Sequence, residues 1–447
     1  MSTPDAARAI ADPDRLPARI RVGYSMGSLV TGAFGTVPGL LLLPYLTDTL
    51  AVPAFAAGLL VLLPKAWDVL FNPVAGRISD RTTGRFGARR PYLLVGGTAL
   101  AVCFAALFGG PNTGSVALDA AYVALVFLLC ATAFAFFQVP YNAMPAELTE
   151  GVNERTRLTA WRIAVLAVAI LVSGAGAPAV RDAIGGLAGY RVMGVGVGLL
   201  ILIGSVGVFF GTARARVVAV KPTVSTWAEV FEAIRQCRPF RLLLGAYVIQ
   251  GIAVGMLLAG VEYLARIALG DQSLQALMFA AFVGPAILVM PLLQWVGRNW
   301  GKRAGYVAAT VVFAVAVASL VAARVVPVGL VIAGSAVAGV GYAGITVFPL
   351  AMLADVIGDE ERRTGQFRAG LFAGVWTAGE TLGLALGPGL YGLVLAMGGY
   401  VSSTAGQEVV QPSSAVTAVV LGAALLPALF ALAAIPLLTE RKWREAR

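Results

Sequence analysis

No histidine occurs anywhere in this chain. Its absence removes the commonest metal ligand and the usual proton shuttle near neutral pH. Cysteine is nearly as scarce. Cys103, Cys130 and Cys237 are scattered, two of them within apolar segments, and suggest neither a metal spacing nor a disulfide framework. Charged residues make up 13% of the chain, against about 25% in soluble domains. No GxxxxGK[ST] phosphate loop is present, so ATP-driven pumping is not indicated. No Ser, Cys or metal constellation points to an enzyme. The first sixteen residues are polar and do not read as a cleavable signal peptide.

What is abundant is apolar length. Hydrophobic residues make up 59% of the chain, in recurrent runs of about twenty residues, the length that crosses a bilayer as a helix. Twelve spans are expected, near 20–46, 54–75, 91–109, 117–141, 158–180, 191–213, 241–264, 276–297, 304–324, 327–350, 368–397 and 415–438. With twelve spans both termini share one side. That side holds 28 of the 33 Lys and Arg residues, and the opposite side only Arg181, Arg191, Arg266 and Arg324. Cytoplasmic loops retain basic residues, so both termini are expected in the cytoplasm. The net charge of +10 is then a topology signal, with anionic lipid rather than nucleic acid as its neighbour.

The chain also repeats itself. VPYNAMPAELTEGVNER (139–155) parallels FPLAMLADVIGDEER (348–362), and GRFGARRPY (84–92) parallels GRNWGKRAGY (297–306). Six spans repeated in one orientation describe a secondary transporter, with a solute site near the bilayer midplane. The expected division is 1–213 as one six-helix bundle, 214–240 as a cytoplasmic linker, and 241–447 as the second bundle with a short tail. In the linker, Thr226-Trp-Ala-Glu229 reads as a capping box. Trp227, Val230, Phe231, Ile234 and Cys237 form one stripe of a short interfacial helix. Gly379, Gly383 and Gly387 recur every four residues, a face that lets helices approach closely.

Charge inside a span is costly, about 2.5–3.5 kcal/mol at mid-bilayer on insertion scales, and is a functional candidate by default. Lys65, Asp68 and Asn72 share one helical face of the second span. Lys65 and Asp68 can pair, either as a packing element or beside a wet cavity. Asp68 and Asn72 can give a hard cation two oxygen ligands. Glu380 is a further acid in an apolar span, beside Thr381.

The stretches KAWDVLFNPVAGRISDRTTGRFGARRPYLL, VPYNAMPAELTEGVNERTRLTAWR, CRPFRLLL and PLAMLADVIGDEERRTGQFRAGLFAGVWTAGETLG cover much of the chain. In them it resembles the glycoside–pentoside–hexuronide:cation symporter family, the melibiose-permease-like branch of the major facilitator superfamily. The resemblance implies an all-α membrane fold of twelve helices in two pseudo-symmetric bundles, alternating access, and solute uptake coupled to Na⁺ or H⁺. It also implies departures. Asn72 stands where the family has a second cation-site aspartate, and Thr381 where it has a lysine. Gly32 and Gln138 stand where sugar-binding aspartates are expected, while Arg162 matches the family pattern. With one acid and one base gone, Asp68 or Glu380 is expected to carry a proton, and Na⁺ dependence to be weak.

Lys65, Gln138, Tyr141, Arg162, Trp376, Gln250 and Gly32 are the candidate solute-binding positions. The cytoplasmic charges Asp80, Arg81, Arg89, Arg90, Asp355, Arg362 and Arg363 are candidate gates that bias one state of a two-state equilibrium; topology alone also accounts for any single one. The expected function is cation-coupled symport of a sugar or glycoside-like solute by a monomer in a bacterial inner membrane. Carriage of an amphiphile such as a lysolipid, or a transporter-like protein with lost or proton-only coupling, is the alternative.

Overall fold

The computed structural model describes residues 16–82, 86–87, 89–110, 113–149, 152–215, 232, 234–365, 369–407 and 409–439; the side chains of 69, 80, 146, 152, 153, 155, 156, 287 and 369 are outside that description. Most of the expected linker helix, including Trp227, Val230 and Phe231, lies outside it too.

The fold is all helix. The first six helices are α1 (Ala18–Asp48), α2 (Ala54–Asp80), α3 (Arg90–Phe108), α4 (Val116–Leu148), α5 (Val152–Ile184) and α6 (Gly186–Gly211). Then come α7 (Arg238–Tyr263), α8 (Leu274–Leu288), α9 (Met290–Asn299), α10 (Lys302–Ser319), α11 (Val328–Thr364), α12 (Ala369–Met397), α13 (Ser413–Val420) and α14 (Leu426–Ala433). In hydrocarbon every backbone N–H and C=O must be satisfied within the chain, so a spanning segment has little choice but helix. Eleven described helices, several continued through short irregular turns, are long and apolar enough to cross a membrane. They become twelve when α8 and α9, bent by 46°, count as one span. The sequence predicts that span as one segment, 276–297; Pro291 in the first turn of α9 sits at the break. Leu63, Leu70, Val102, Leu125 and Leu199 point outward as the lipid-facing surface requires.

Helices pack in two groups. In the first, α1 lies on α5 and α6, α3 on α4 and α6, and α2 on α4; in the second, α7 lies on α12, α10 on α11, and α11 on α8. The groups meet chiefly where α2 packs on α12, α5 on α8, and α1 on α7. Missing side chains set the closest approaches. A Cβ on Gly23 would fall 2.4 Å from the Gly211 Cα, which seats α1 on α6. The Gly379–Gly383–Gly387 face packs on α7, where a Cβ on Gly387 would fall 2.5 Å from the Gly255 Cα. That stripe therefore serves packing within one group.

Candidate functional site

Asp68 is 3% exposed on α2, and its Oδ1 has no hydrogen-bond partner. Asn72 Oδ1, one turn further along, is likewise buried and unpartnered. The expected pairing of Lys65 with Asp68 is not formed. The Lys65 ammonium instead lies over the Phe34 ring of α1, 4.8 Å from its centroid, a cation–π contact that offsets part of its desolvation. Two oxygens one helical turn apart are thus left open on the helix that packs against the other group.

In the same group, α1, α4 and α5 are tied by a polar knot. The Tyr141 hydroxyl donates to the Tyr24 carbonyl at 3.0 Å and lies 3.1 Å from Ser28 Oγ. Arg162 lies over the Tyr141 ring at 4.7 Å and donates to the Tyr24 hydroxyl at 3.3 Å and to Asn142 Oδ1 at 2.6 Å. Two of five guanidinium N–H groups are committed in these bonds, and Arg162 itself is only half-buried. It can hold a hydroxyl or an anion. Tyr141 is fully buried with its hydroxyl engaged, so here it is a strut behind Arg162 and does not reach a solute. Gln138 is half-buried on α4. Gly32 corrects an expectation: it faces α5, and a Cβ there would lie 2.7 Å from the Ala169 Cβ. The place where the family resemblance implies an acid is used for helix contact.

A cleft in the second group is lined by Tyr247, Gln250, Val254, Tyr342, Thr346 and Glu380, among others. The Tyr247 hydroxyl donates to Glu380 Oε1 at 3.0 Å, and its ring stacks on Trp376 with centroids 4.3 Å apart. Trp376 is 2% exposed, so it backs the cleft instead of lining it. Gln250 is held on both sides: it accepts from the Tyr306 hydroxyl at 2.6 Å and donates to Thr310 Oγ1 at 2.9 Å. Thr381, next to Glu380, is half-buried.

At the end that carries the termini, several charges pair inside their own group. Arg89 donates to Glu147 at 2.8 Å and to Ser79 at 2.7 Å. Arg90 donates to the Phe209 carbonyl of α6 at 2.8 Å and covers the Phe209 ring. Arg81 is the exposed C-cap of α2; Asp80 ends that helix, and its side chain is outside the described residues. Asp355 of α11 accepts from Lys302 of α10 at 2.7 Å. Arg362 and Arg363 pair with Asp359 and Glu360 of their own helix.

At the opposite end the charges cross between groups. Arg181 of α5, 2% exposed, meets Glu262 of α7 at 2.7 Å and Gln275 of α8 at 2.9 Å. Arg266, just past α7, meets Asp48 of α1 at 2.7 Å, and the Tyr400 hydroxyl donates to the same carboxylate. Burial, with Asp48 beside it, pushes the Tyr400 phenol above its ordinary value, so it stays a donor. Thr47 and Tyr263 hydroxyls lie 2.7 Å apart. The loop after α1 pairs with the loop after α12, Ala51 N donating to the Ser403 carbonyl and Ser403 N to the Thr47 carbonyl, both at 2.9 Å.

The profile of a family described as MFS/sugar transport protein matches residues 23–440. The chain belongs to that family, the glycoside–pentoside–hexuronide:cation symporter branch of the major facilitator superfamily. It is 26% identical to an uncharacterized symporter of Synechocystis sp., over 94% of this chain and 93% of that one. A glucuronide carrier protein homolog of Escherichia coli is 30% identical over a shorter stretch, 33% of this chain and 32% of the other. A solved nucleoside transporter shares the fold at TM-score 0.69 and 12% identity, over 94% of this chain and 98% of that one. The protein is a multi-pass membrane transporter, not an enzyme.

For such a transporter the cross-group pairs are the residues that sequence reasoning overlooked. A signal was available. Arg181 and Arg266 are two of only four basic residues on their side, where nothing in topology asks for positive charge.

Proposed function

We propose that this transporter is a cation-coupled symporter of a sugar or glycoside-like solute, set in a bacterial inner membrane with both termini in the cytoplasm. The observation that carries the reading is the pair of buried, unpartnered oxygens on α2, Asp68 Oδ1 and Asn72 Oδ1. A buried carboxylate without a partner is costly. A proton or a small hard cation relieves that cost, and the cost returns when the ion leaves. Because α2 packs directly on α12, occupancy of Asp68 can bias how the two groups meet.

Solute recognition falls to Arg162 and Asn142, with Gln138 half-buried nearby on α4. Arg162 offers N–H donors fit for hydroxyl or carboxylate oxygens, in keeping with a relative named as a glucuronide carrier homolog. With the termini in the cytoplasm, the crossing pairs of Arg181 and Arg266 close the outer face. The state is then inward-facing, and the cytoplasmic pairs of Arg89 and Asp355 stand apart, ready to be regrouped when that face closes. The amphiphile reading finds less support, since α5 and α8 are seated tightly where a Cβ on Gly174 would fall 2.1 Å from the Phe279 ring.

Proteoliposome uptake of a radiolabelled glucuronide, under imposed sodium or proton gradients, tests the proposal. Wild type should accumulate the solute only with a gradient, and more with protons than with sodium. Asp68→Asn should lose accumulation yet keep solute counterflow. Accumulation undiminished by Asp68→Asn would refute the coupling role.

A further inference from the structure

We propose that the cleft around Glu380 is a second cation site, taking a monovalent metal ion or a primary ammonium group against the Glu380 carboxylate. The inference rests on the transport reading and adds a site that reading does not use.

Most hydroxyl and amide hydrogens around this cleft are already committed. The Tyr247 hydroxyl hydrogen goes to Glu380, the Tyr306 hydroxyl hydrogen to Gln250 Oε1, and a Gln250 amide hydrogen to Thr310. The Thr346 hydroxyl hydrogen goes back to the Tyr342 carbonyl at 2.9 Å. With those donors spent, Glu380, Tyr247 and Thr346 keep oxygen lone pairs for the cleft, while the second Gln250 N–H and the Tyr342 O–H remain as neutral donors. No Lys or Arg is among the lining residues. The Tyr247 and Tyr342 rings add faces that attract a cation. An anion would meet the Glu380 carboxylate with no Lys or Arg in the lining to offset the repulsion. A neutral hydroxylated solute could donate but would leave the carboxylate charge uncompensated. A metal ion gains several oxygen ligands and can keep water as well; an ammonium group gains acceptors for its three N–H donors.

The test is isothermal titration of the purified full chain in nanodiscs with NaCl, LiCl and glucosamine hydrochloride. Ionic strength is held with choline chloride, which has no N–H to give. A saturable component is expected that is at least tenfold weaker in Glu380→Gln, several-fold weaker in the near-isosteric Thr346→Val, and retained in Asp68→Asn, whatever Asp68 itself adds. Response to the alkali ions alone assigns a metal ion to this cleft; response to glucosamine alone assigns a solute ammonium group. Either supports the site. Binding that survives Glu380→Gln but vanishes in Asp68→Asn, or no binding to wild type by any of the three, overturns it. Solute counterflow separates the two readings. If counterflow runs while Glu380 has no effect on cation binding, only this site fails. If Glu380-dependent binding persists with no counterflow of any solute, the site stands and the transport reading fails.

Discussion

Single residues decide what this site can hold. Gly32 is a close-approach glycine against Ala169, so Gly32→Asp should wedge α1 from α5 and cost about 1–3 kcal/mol, as overpacking does. A lowered midpoint of thermal unfolding, with Gly35→Ala as a neutral control in open space, checks this; an unchanged midpoint would mean the helices separate freely there. The polar candidates Asp68, Asn72, Arg162 and Glu380 were legible in the sequence because an intramembrane charge or amide stands out from its neighbours. What could not be read was the partner. Lys65 sits one turn from Asp68 yet lies over Phe34 of another helix, a choice that depends on how α1 crosses α2. Tyr141 and Trp376 looked like solute-facing aromatics, and the structure buries both; aromatic identity does not say which way a helix turns.

At the scale of helices, the spans were legible from apolar length alone, since hydrocarbon leaves the backbone no alternative to helix. The bend between α8 and α9 was less so, because two short helices carrying Pro285 and Pro291 read as a single apolar run. The seam of α2 with α12 rests on glycines. A Cβ on Gly58 would lie 3.0 Å from the Gly389 carbonyl oxygen, and one on Gly392 2.6 Å from the Ala54 carbonyl oxygen. Gly58→Leu should therefore force this seam apart at the end remote from the termini. In a cysteine-free background carrying Ser403→Cys, the rate of modification by a membrane-impermeant thiol reagent should rise several-fold when Gly58→Leu is added. An unchanged rate would show that the seam does not hold that face shut.

The whole molecule is a pair of helical groups whose described polar contacts with each other gather at one end. The Arg181–Glu262 pair is buried, and removing one partner of a buried pair costs about 3–5 kcal/mol; the Arg266–Asp48 pair is only half-buried and adds less. Against another state a few kcal/mol away, that is enough to redistribute the population. Glu262→Gln should accordingly move the protein toward a state open on that face and lower ligand affinity measured from the termini side. Glu262→Gln with Arg266→Gln should do so more strongly. The measurement closest to the central claim is the distance between spin labels at Val116→Cys and Val410→Cys, exposed positions near that face on opposite groups. Wild type should show one short, narrow distribution, and the Glu262→Gln, Arg266→Gln double variant an added longer one. A double variant with the wild-type distribution would contradict the claim that these ion pairs hold the face closed.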